Sequence, residues 1–185
     1  MGRGCVQPDL SALLGREKSE LRVLSAGRIK SFALGINIIS NVENVIGGSD
    51  KLTSVFGYWP SFHDAEVIEI VVHRGGEDAS GPTLTATIHV FEMTNEVLAK
   101  GSYVCRHHSL VSLRFHEVQD LKLDGFNHQN AIMGLVVKDV SGAQLERIKF
   151  EVSFDSAFGV DATFSCFSVE VVSVESGIPN GSIYA

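Results

Sequence analysis

A histidine and two carboxylates lie close together in YWPSFHDAEV, residues 58–67. In an extended chain Asp64 and Glu66 share one face, so they could bind a divalent metal together with a histidine from another strand. Asp64 could instead orient the imidazole of His63 as a general base. A metal-binding or hydrolytic domain that uses His63, Asp64 and Glu66 is therefore one hypothesis.

The same segment has a structural interpretation, which we favour. Pro60 fixes its own φ and holds Trp59 in extended geometry. Trp59 and Phe62 can bury large apolar areas, and Ser61 or Asp64 can accept hydrogen bonds from nearby backbone N–H groups. The sequence has no HxH, HExxH or HxxxH pair that would mark metal ligands. It therefore predicts a structured corner or a partner-contact patch, without catalytic residues, metal ligands or cofactor.

A second polar segment, DGFNHQN at residues 124–130, contains more amides than a simple turn needs. The side chains of Asn127, Gln129 and Asn130 could satisfy backbone groups at the end of a strand. Alternatively, they could form a polar recognition loop. The structural interpretation is again the one we favour.

The charge of the chain is unevenly distributed. Residues 51–185 contain nine Lys and Arg against seventeen Asp and Glu, a net charge of −8. This part of the chain repels phosphate backbones, which argues against nucleic-acid binding. A basic protein partner fits the charge, because complementary potentials speed and orient association.

The cysteines and the apolar segments bear on the compartment of the protein. Cys5, Cys105 and Cys166 are an odd number without zinc-site spacing, which indicates reduced thiols and a cytoplasmic protein. The first 30 residues show no secretory signal, and the apolar run at residues 32–39 is too short to span a bilayer. We therefore expect no membrane association.

Hydrophobic periodicity predicts a helical start and a strand-rich body. An apolar stripe of Ile36, Ile39, Val42, Val45 and Ile46 indicates one helix, and residues 49–57 a second with Ser49 as N-cap and Gly57 as its end. Strands are predicted at residues 66–74, 83–94, 108–118, 131–140, 144–154 and 160–174, and residues 120–127 either continue a strand or turn.

Alternation assigns faces in two of these strands. In 83–94, the core face holds Leu84, Ala86, Ile88 and Val90, and the wet face holds Thr83, Thr85, Thr87 and His89. In 160–174 apolar residues occur on both faces, which predicts a strand that is buried on both sides or bulged partway.

These elements predict a mainly β protein of the α+β kind. No long helices separate the strands, so we expect an antiparallel sheet or sandwich of about six or more strands with one or two N-terminal helices. The predicted organisation is a leader at 1–30, disordered or a short helix, one globular domain at 31–176, and a loose C-terminal tail at 177–185.

The motif FGYWPSFHDAEVIEI, the alternating LTATIHVFEM, the segment LVSLRFHEVQDLKLDGFNHQNAI and the late VSFDSAFGVDATFSCFSVEV together resemble the immunity protein 50 family and its uncharacterised bacterial relatives. The resemblance covers about residues 55–174, and the W-P-S-F-H-D-x-E block is its most specific part. It implies a non-enzymatic protein that binds and blocks a toxin of contact-dependent polymorphic systems.

Three hypotheses follow. The leading one is a cytoplasmic binding protein, with immunity against a basic polymorphic toxin as its specific form. The second is the metal-binding or hydrolytic domain at His63, Asp64 and Glu66. The third is a homo-oligomer formed through strand edges.

Overall fold

The computed structural model describes residues 42–75, 81–99 and 101–184. The predicted leader, the predicted domain start at residue 31, and Ile36 and Ile39 of the apolar stripe lie outside these ranges. The described part of the stripe begins with one 3₁₀ turn, Val42–Asn44, and places Ile46 in the core.

Eight antiparallel strands form the body of the described chain, which confirms the predicted mainly β, antiparallel fold. They are β1 Glu66–His73, β2 Thr83–Val97, β3 Tyr103–His116, β4 Gln119–Asp124, β5 Ala131–Asp139, β6 Phe150–Phe158, β7 Asp161–Cys166 and β8 Ser168–Ser176.

Some strand boundaries differ from the sequence prediction. β3 begins at Tyr103 instead of residue 108, because it pairs along the full length of the long strand β2. A 3₁₀ turn, Ser141–Ala143, follows β5, and β6 starts at Phe150 instead of residue 144. Residues 119–124 form a separate strand, β4.

The strands form one sheet with two four-stranded halves. The order is β4-β7-β6-β5-β1-β2-β3-β8. Between β1 and β5 the register contains only the pair Glu66 and Ala131. This pair joins the first residues of two antiparallel strands, which run from it in opposite directions, so the sheet divides there into a β1-β2-β3-β8 half and a β4-β7-β6-β5 half.

A bent ribbon connects the halves at their other side. β3 pairs with β8, and β4 pairs with β7, in nearly continuous register. His116 lies opposite Ser168, and Gln119 lies opposite Ser165. Phe167 interrupts the ribbon between these pairs, and its N–H donates to the His116 carbonyl at 2.9 Å. Strands that pass from one sheet layer to another through a bend make the corners of such folds.

This bend explains the two-faced pattern of residues 160–174. Ala162, Phe164 and Cys166 are buried in β7, whereas Val169 and Val171 are buried in β8. The buried parity changes at the exposed Phe167, where the chain passes between the halves. The predicted irregularity partway along the strand is therefore a break between two strands.

The core lies between the two halves. Phe115 of β3 contacts Phe164 of β7 and Phe154 of β6, with ring centroids 4.9 and 6.1 Å apart in edge-on geometry. The predicted core face of β2 is confirmed, since its four apolar side chains are buried: Leu84, Ala86, Ile88 and Val90.

Helix α1, Ser49–Phe56, packs on β8 where the sequence predicts a short helix. Leu52 and Phe56, four positions apart, form its buried face. Gly57 ends the helix at φ 79°, and its N–H donates to the Thr53 carbonyl at 2.8 Å. Of the helices in the described residues, none combines the length and apolar character that a membrane crossing needs.

The predicted N-cap of α1 is wrong. The cap position is Gly48 at φ 64°, while the Ser49 hydroxyl donates to the Glu43 carbonyl at 2.7 Å. A Cβ on Gly48 would lie 2.8 Å from the Val171 carbonyl oxygen, so glycine permits the close approach of the helix start to β8.

Candidate functional site

The entry to β1 is a corner, residues 58–65, fastened to the start of β5. Phe62 and Asp64 adopt left-handed backbone, with φ 57° and 62°. The Asp64 N–H donates to the Ile132 carbonyl at 2.9 Å, and the Ala65 N–H donates to the Phe62 carbonyl at 3.2 Å. Non-glycine residues hold this conformation only where their surroundings enforce it.

Side chains of the corner complete this arrangement. Phe62 is buried, and its ring centroid lies 5.7 Å from that of the half-buried Trp59. The Ser61 hydroxyl oxygen accepts a hydrogen bond from the His63 backbone N–H at 3.3 Å. The corner therefore places Ser61 and His63 at the surface while Phe62 anchors it in the core.

His63 and Asp64 form an exposed pair. Nδ1 of His63 lies 3.0 Å from Oδ2 of Asp64, and their side chains are 55% and 29% exposed. Extended geometry would direct neighbouring side chains apart, but the left-handed backbone at Asp64 brings these two together. Asp64 also lies before β1, which starts at Glu66. The prediction that Asp64 and Glu66 share a strand face therefore does not apply.

Glu66 faces a histidine cluster, in which His89 is buried and His108 is half-buried. Its Oε2 lies 2.9 Å from Nδ1 of His89, and the two side chains are 3% and 0% exposed. Nε2 of His89 lies 3.0 Å from Nδ1 of His108, whose ring stacks on that of His89. When both imidazoles are neutral, His89 donates from Nδ1 to the Glu66 carboxylate and accepts at Nε2 from Nδ1–H of His108.

The assignment of His89 to the wet face of β2 is wrong. His89 lies directly opposite Glu66 in the β1–β2 register, and a register shift follows between Val67 and Glu69. Among the histidines that follow β2 in the chain, at positions 107, 108, 116 and 128, only His108 contacts His89. Nothing in the alternation of β2 distinguishes His89 from the threonines that precede it.

Residues 177–184, which we call the strap, cover this cluster. The Gly177 N–H donates to the His108 carbonyl at 3.0 Å. The Ser182 hydroxyl donates to Oε2 of Glu66 at 2.6 Å, and the Ile183 N–H donates to Oε1 at 3.3 Å. The Tyr184 ring packs on Phe91 at 4.5 Å between centroids. The segment that the sequence predicts to be a loose tail therefore contributes hydrogen bonds to the buried carboxylate.

Burial and charge shift several pKa values around the strap. Burial, and then the neighbouring His89, lowers the pKa of His108. A hydrogen bond with the Cys105 backbone and the charge of Glu66 partly offset this by raising the pKa. Burial raises the pKa of the Tyr184 phenol, and the charges of Asp64 and Glu66 raise it further. Burial likewise raises the pKa of the Cys105 thiol, with Asp64 as the second cause.

The amide segment after β4 closes on the start of β1. Asn130 is buried, and its Nδ2 donates to the carbonyls of Val67 and Asn127 at 3.2 and 2.8 Å. Oδ1 of Asn130 accepts from the Asn127 N–H, and Oδ1 of Asn127 accepts from the Gln129 N–H, at 2.6 and 2.9 Å. The amides of Asn127 and Asn130 are thus engaged with backbone groups.

Within the described ranges, no three His, Cys, Asp or Glu side chains form a group suited to a metal ion. His63 and Asp64 pair at the surface, whereas Glu66 turns inward to His89. The structure therefore does not bring the three residues of the metal or hydrolytic hypothesis together as one ligand set.

A cleft of about 530 Å³ opens beside the corner. It is lined by residues 58–64 of the corner, residues 91–93 of β2, and Leu135 and Val137 of β5. The hydroxyl of Tyr58 donates to Oε1 of Glu92 at 3.1 Å inside it. The cleft thus brings together aromatic rings, the exposed His63–Asp64 pair and a second carboxylate.

The family described as immunity protein 50 matches residues 48–177 of the chain. The chain belongs to this family. The immunity protein 50 match includes α1, all eight strands and every residue that lines the cleft, while the strap beyond Gly177 lies outside it. No curated protein and no solved structure matches the chain.

Proposed function

We propose that this protein is a non-enzymatic cytoplasmic immunity protein, which binds a bacterial polymorphic toxin and blocks it. The observation that carries the proposal is the family match over residues 48–177. Immunity in such systems is a binding function, so the protein needs a recognition surface and no reactive centre.

The charge of the chain supports a basic toxin as the partner. Residues 51–185 carry a net charge of −8. An acidic immunity protein and a basic toxin attract one another before contact, which raises the association rate and disfavours wrong partners.

The metal-binding or hydrolytic alternative receives no comparable support. Its three residues divide between a surface pair and a buried cluster. The Glu66 carboxylate already accepts hydrogen bonds from Ser182 and Ile183, and His89 lies against it, so it is engaged within the fold.

Co-expression tests the proposed function. Where a toxin-like protein is encoded beside this chain's gene, cells that produce it should survive when the chain is co-produced and die when it is not. A mixture of the two purified proteins should elute as one complex in size-exclusion chromatography. Cell death in the presence of the folded chain, with no complex formed, would overturn the proposal.

A further inference from the structure

We propose that the cleft beside the corner is the surface on which the toxin docks, and that it takes a cationic segment with an Arg or Lys side chain. This inference rests on the proposed function and names the contact that it requires. The cleft is the one defined above, between residues 58–64, residues 91–93 and β5.

The walls of the cleft are aromatic and accessible. Tyr58 is 50% exposed, and Trp59 is half-buried against Phe62. Tyrosine and tryptophan are enriched among the residues that dominate binding energy at protein interfaces. Their ring faces also attract Arg and Lys side chains through cation–π interactions.

The cleft is acidic. Its described lining residues include Asp64 and Glu92 but no Lys or Arg. The ion-pair partners of these carboxylates in the described chain are histidines: His63 at 3.0 Å from Asp64, and His107 at 3.7 Å from Glu92. A cationic side chain entering the cleft would therefore meet two carboxylates without displacing an internal Lys or Arg.

The backbone of the cleft is preorganised. Phe62 anchors the corner in the core, and the Asp64 N–H is bonded to the Ile132 carbonyl of β5. A surface that is already ordered pays less conformational entropy on binding, so more of the contact energy appears as affinity.

An exposed apolar rim extends the surface. Met93 lines this cleft and also a neighbouring cleft of about 490 Å³, whose lining includes Leu98, Tyr103 and Ile183. All four side chains are exposed. Contiguous apolar surface with polar groups at its edge is typical of protein–protein contact sites.

A cleft on the opposite half of the sheet shows the contrast. It is lined in part by Lys122 and Lys138, and Lys138 Nζ lies 2.8 Å from Glu151 Oε2. Its carboxylates are thus offset by internal cations, and it lacks the paired aromatic walls of the corner cleft. Charge complementarity with a basic toxin favours the corner cleft.

The chain supplies its own probe for this site, because Trp59 is its single tryptophan. The test titrates a hexa-arginine peptide into the protein and follows Trp59 fluorescence. The double variant Asp64→Asn/Glu92→Gln removes the two charges; asparagine tolerates left-handed backbone, and glutamine can still accept from Tyr58. Glu69→Gln/Asp161→Asn removes the same charge from exposed residues outside the cleft.

We expect a saturable change in Trp59 emission that weakens by about tenfold in affinity in the double variant and by less than about twofold in the control. Equal weakening in both variants, or peptide binding without a change in Trp59 emission, would overturn the cleft assignment. A homodimer of the wild type that the Asp64→Asn/Glu92→Gln variant dissociates would also overturn it, because a second copy would then occupy the cleft.

A second arm uses the toxin of the co-expression test, so that the two proposals can fail separately. If the wild type and the control bind the toxin and the double variant binds about tenfold more weakly, the inference holds. If all three bind equally, the toxin docks elsewhere, although the protein is still an immunity protein. If the wild type does not bind, the proposed function fails, and the peptide titration alone decides whether the cleft prefers cations.

Discussion

Two histidine–carboxylate pairs flank the start of β1 and differ mainly in burial. His89 and Glu66 lie 2.9 Å apart with side chains 0% and 3% exposed, and His63 and Asp64 lie 3.0 Å apart with side chains 55% and 29% exposed. Since the distances are nearly equal, burial decides what each pair contributes.

The buried pair serves the fold, and the exposed pair is free to serve a partner. A buried carboxylate is tolerated only when hydrogen bonds compensate its lost hydration, as those from Ser182 and Ile183 do for Glu66. The exposed pair remains hydrated, so breaking it costs little and Asp64 can exchange its histidine for a cationic group.

The largest expected effect is the loss of the buried carboxylate. Glu66→Ala should lower the free energy of unfolding by about 3–5 kcal/mol, because His89, Ser182 and Ile183 lose a buried acceptor. Asp64→Asn, which keeps the left-handed backbone of this position, should lower it by less than about 1 kcal/mol. Urea unfolding followed by circular dichroism measures both values, and similar losses for the two variants would remove the distinction between the pairs.

The strap should act through Glu66. Ser182→Ala should cost about 1.5–3 kcal/mol, the range for a hydrogen bond to a charged group. When Glu66→Ala is already present, Ser182→Ala should lower the free energy of unfolding by much less, because the acceptor is already gone. Additive losses in this double-mutant cycle would show that the strap stabilises the protein by a different route.

The pH dependence of stability should report on the cluster. His108 has its pKa lowered from the ordinary 6.5 in the folded state, so below about pH 6.5 the unfolded chain takes up a proton that the folded chain resists. Stability should therefore fall as the pH drops from 6.5 toward the lower folded pKa, by at most about 1.4 kcal/mol per pH unit for this group.

The groups around His108 are His89 on β2, Glu66 on β1 and the Cys105 backbone on β3, and Tyr184 of the strap lines the same cleft. Replacing His108 with asparagine should flatten the acid limb of a plot of unfolding free energy against pH. The difference between the acid limbs of the wild type and the variant gives the contribution of His108. An unaltered acid limb in the His108 variant would contradict the assignment.

The smallest effect concerns Cys105. The Asp64 carboxylate contributes to the raised pKa of this thiol, after burial. Asp64→Asn should therefore lower that pKa and accelerate alkylation of Cys105 by about twofold at pH 8, since the thiolate is the reactive form. Cys166, whose pKa burial raises to about 12, should stay unreactive in the folded protein. Iodoacetamide labelling followed by mass spectrometry separates the two sites, with Asp161→Asn as the matched control.

Local patterns predict much of the fold. The alternation in β2 identifies its four core residues, and the spacing of Leu52 and Phe56 before Gly57 identifies α1 and its end. Both features depend on residues a few positions apart, which periodicity captures.

The contacts that build the buried cluster are not local. Glu66 and Ser182 are separated by 116 residues, and no pattern in either segment requires them to meet. His89 continues a threonine alternation and becomes buried through the register with Glu66 and the covering strap. The exposed pair depends on left-handed backbone at Asp64, which the sequence alone does not indicate.

The most direct test of the account measures the stoichiometry of protection. Toxin activity is recorded while the purified chain is added in increasing amounts. If the chain inhibits by binding, toxin activity should fall linearly with added chain and reach zero near one chain per toxin molecule. This fall should not depend on incubation time. Loss of toxin activity at a small fraction of one equivalent, progressing with time, would identify an enzyme and contradict the account, as would full activity at excess chain.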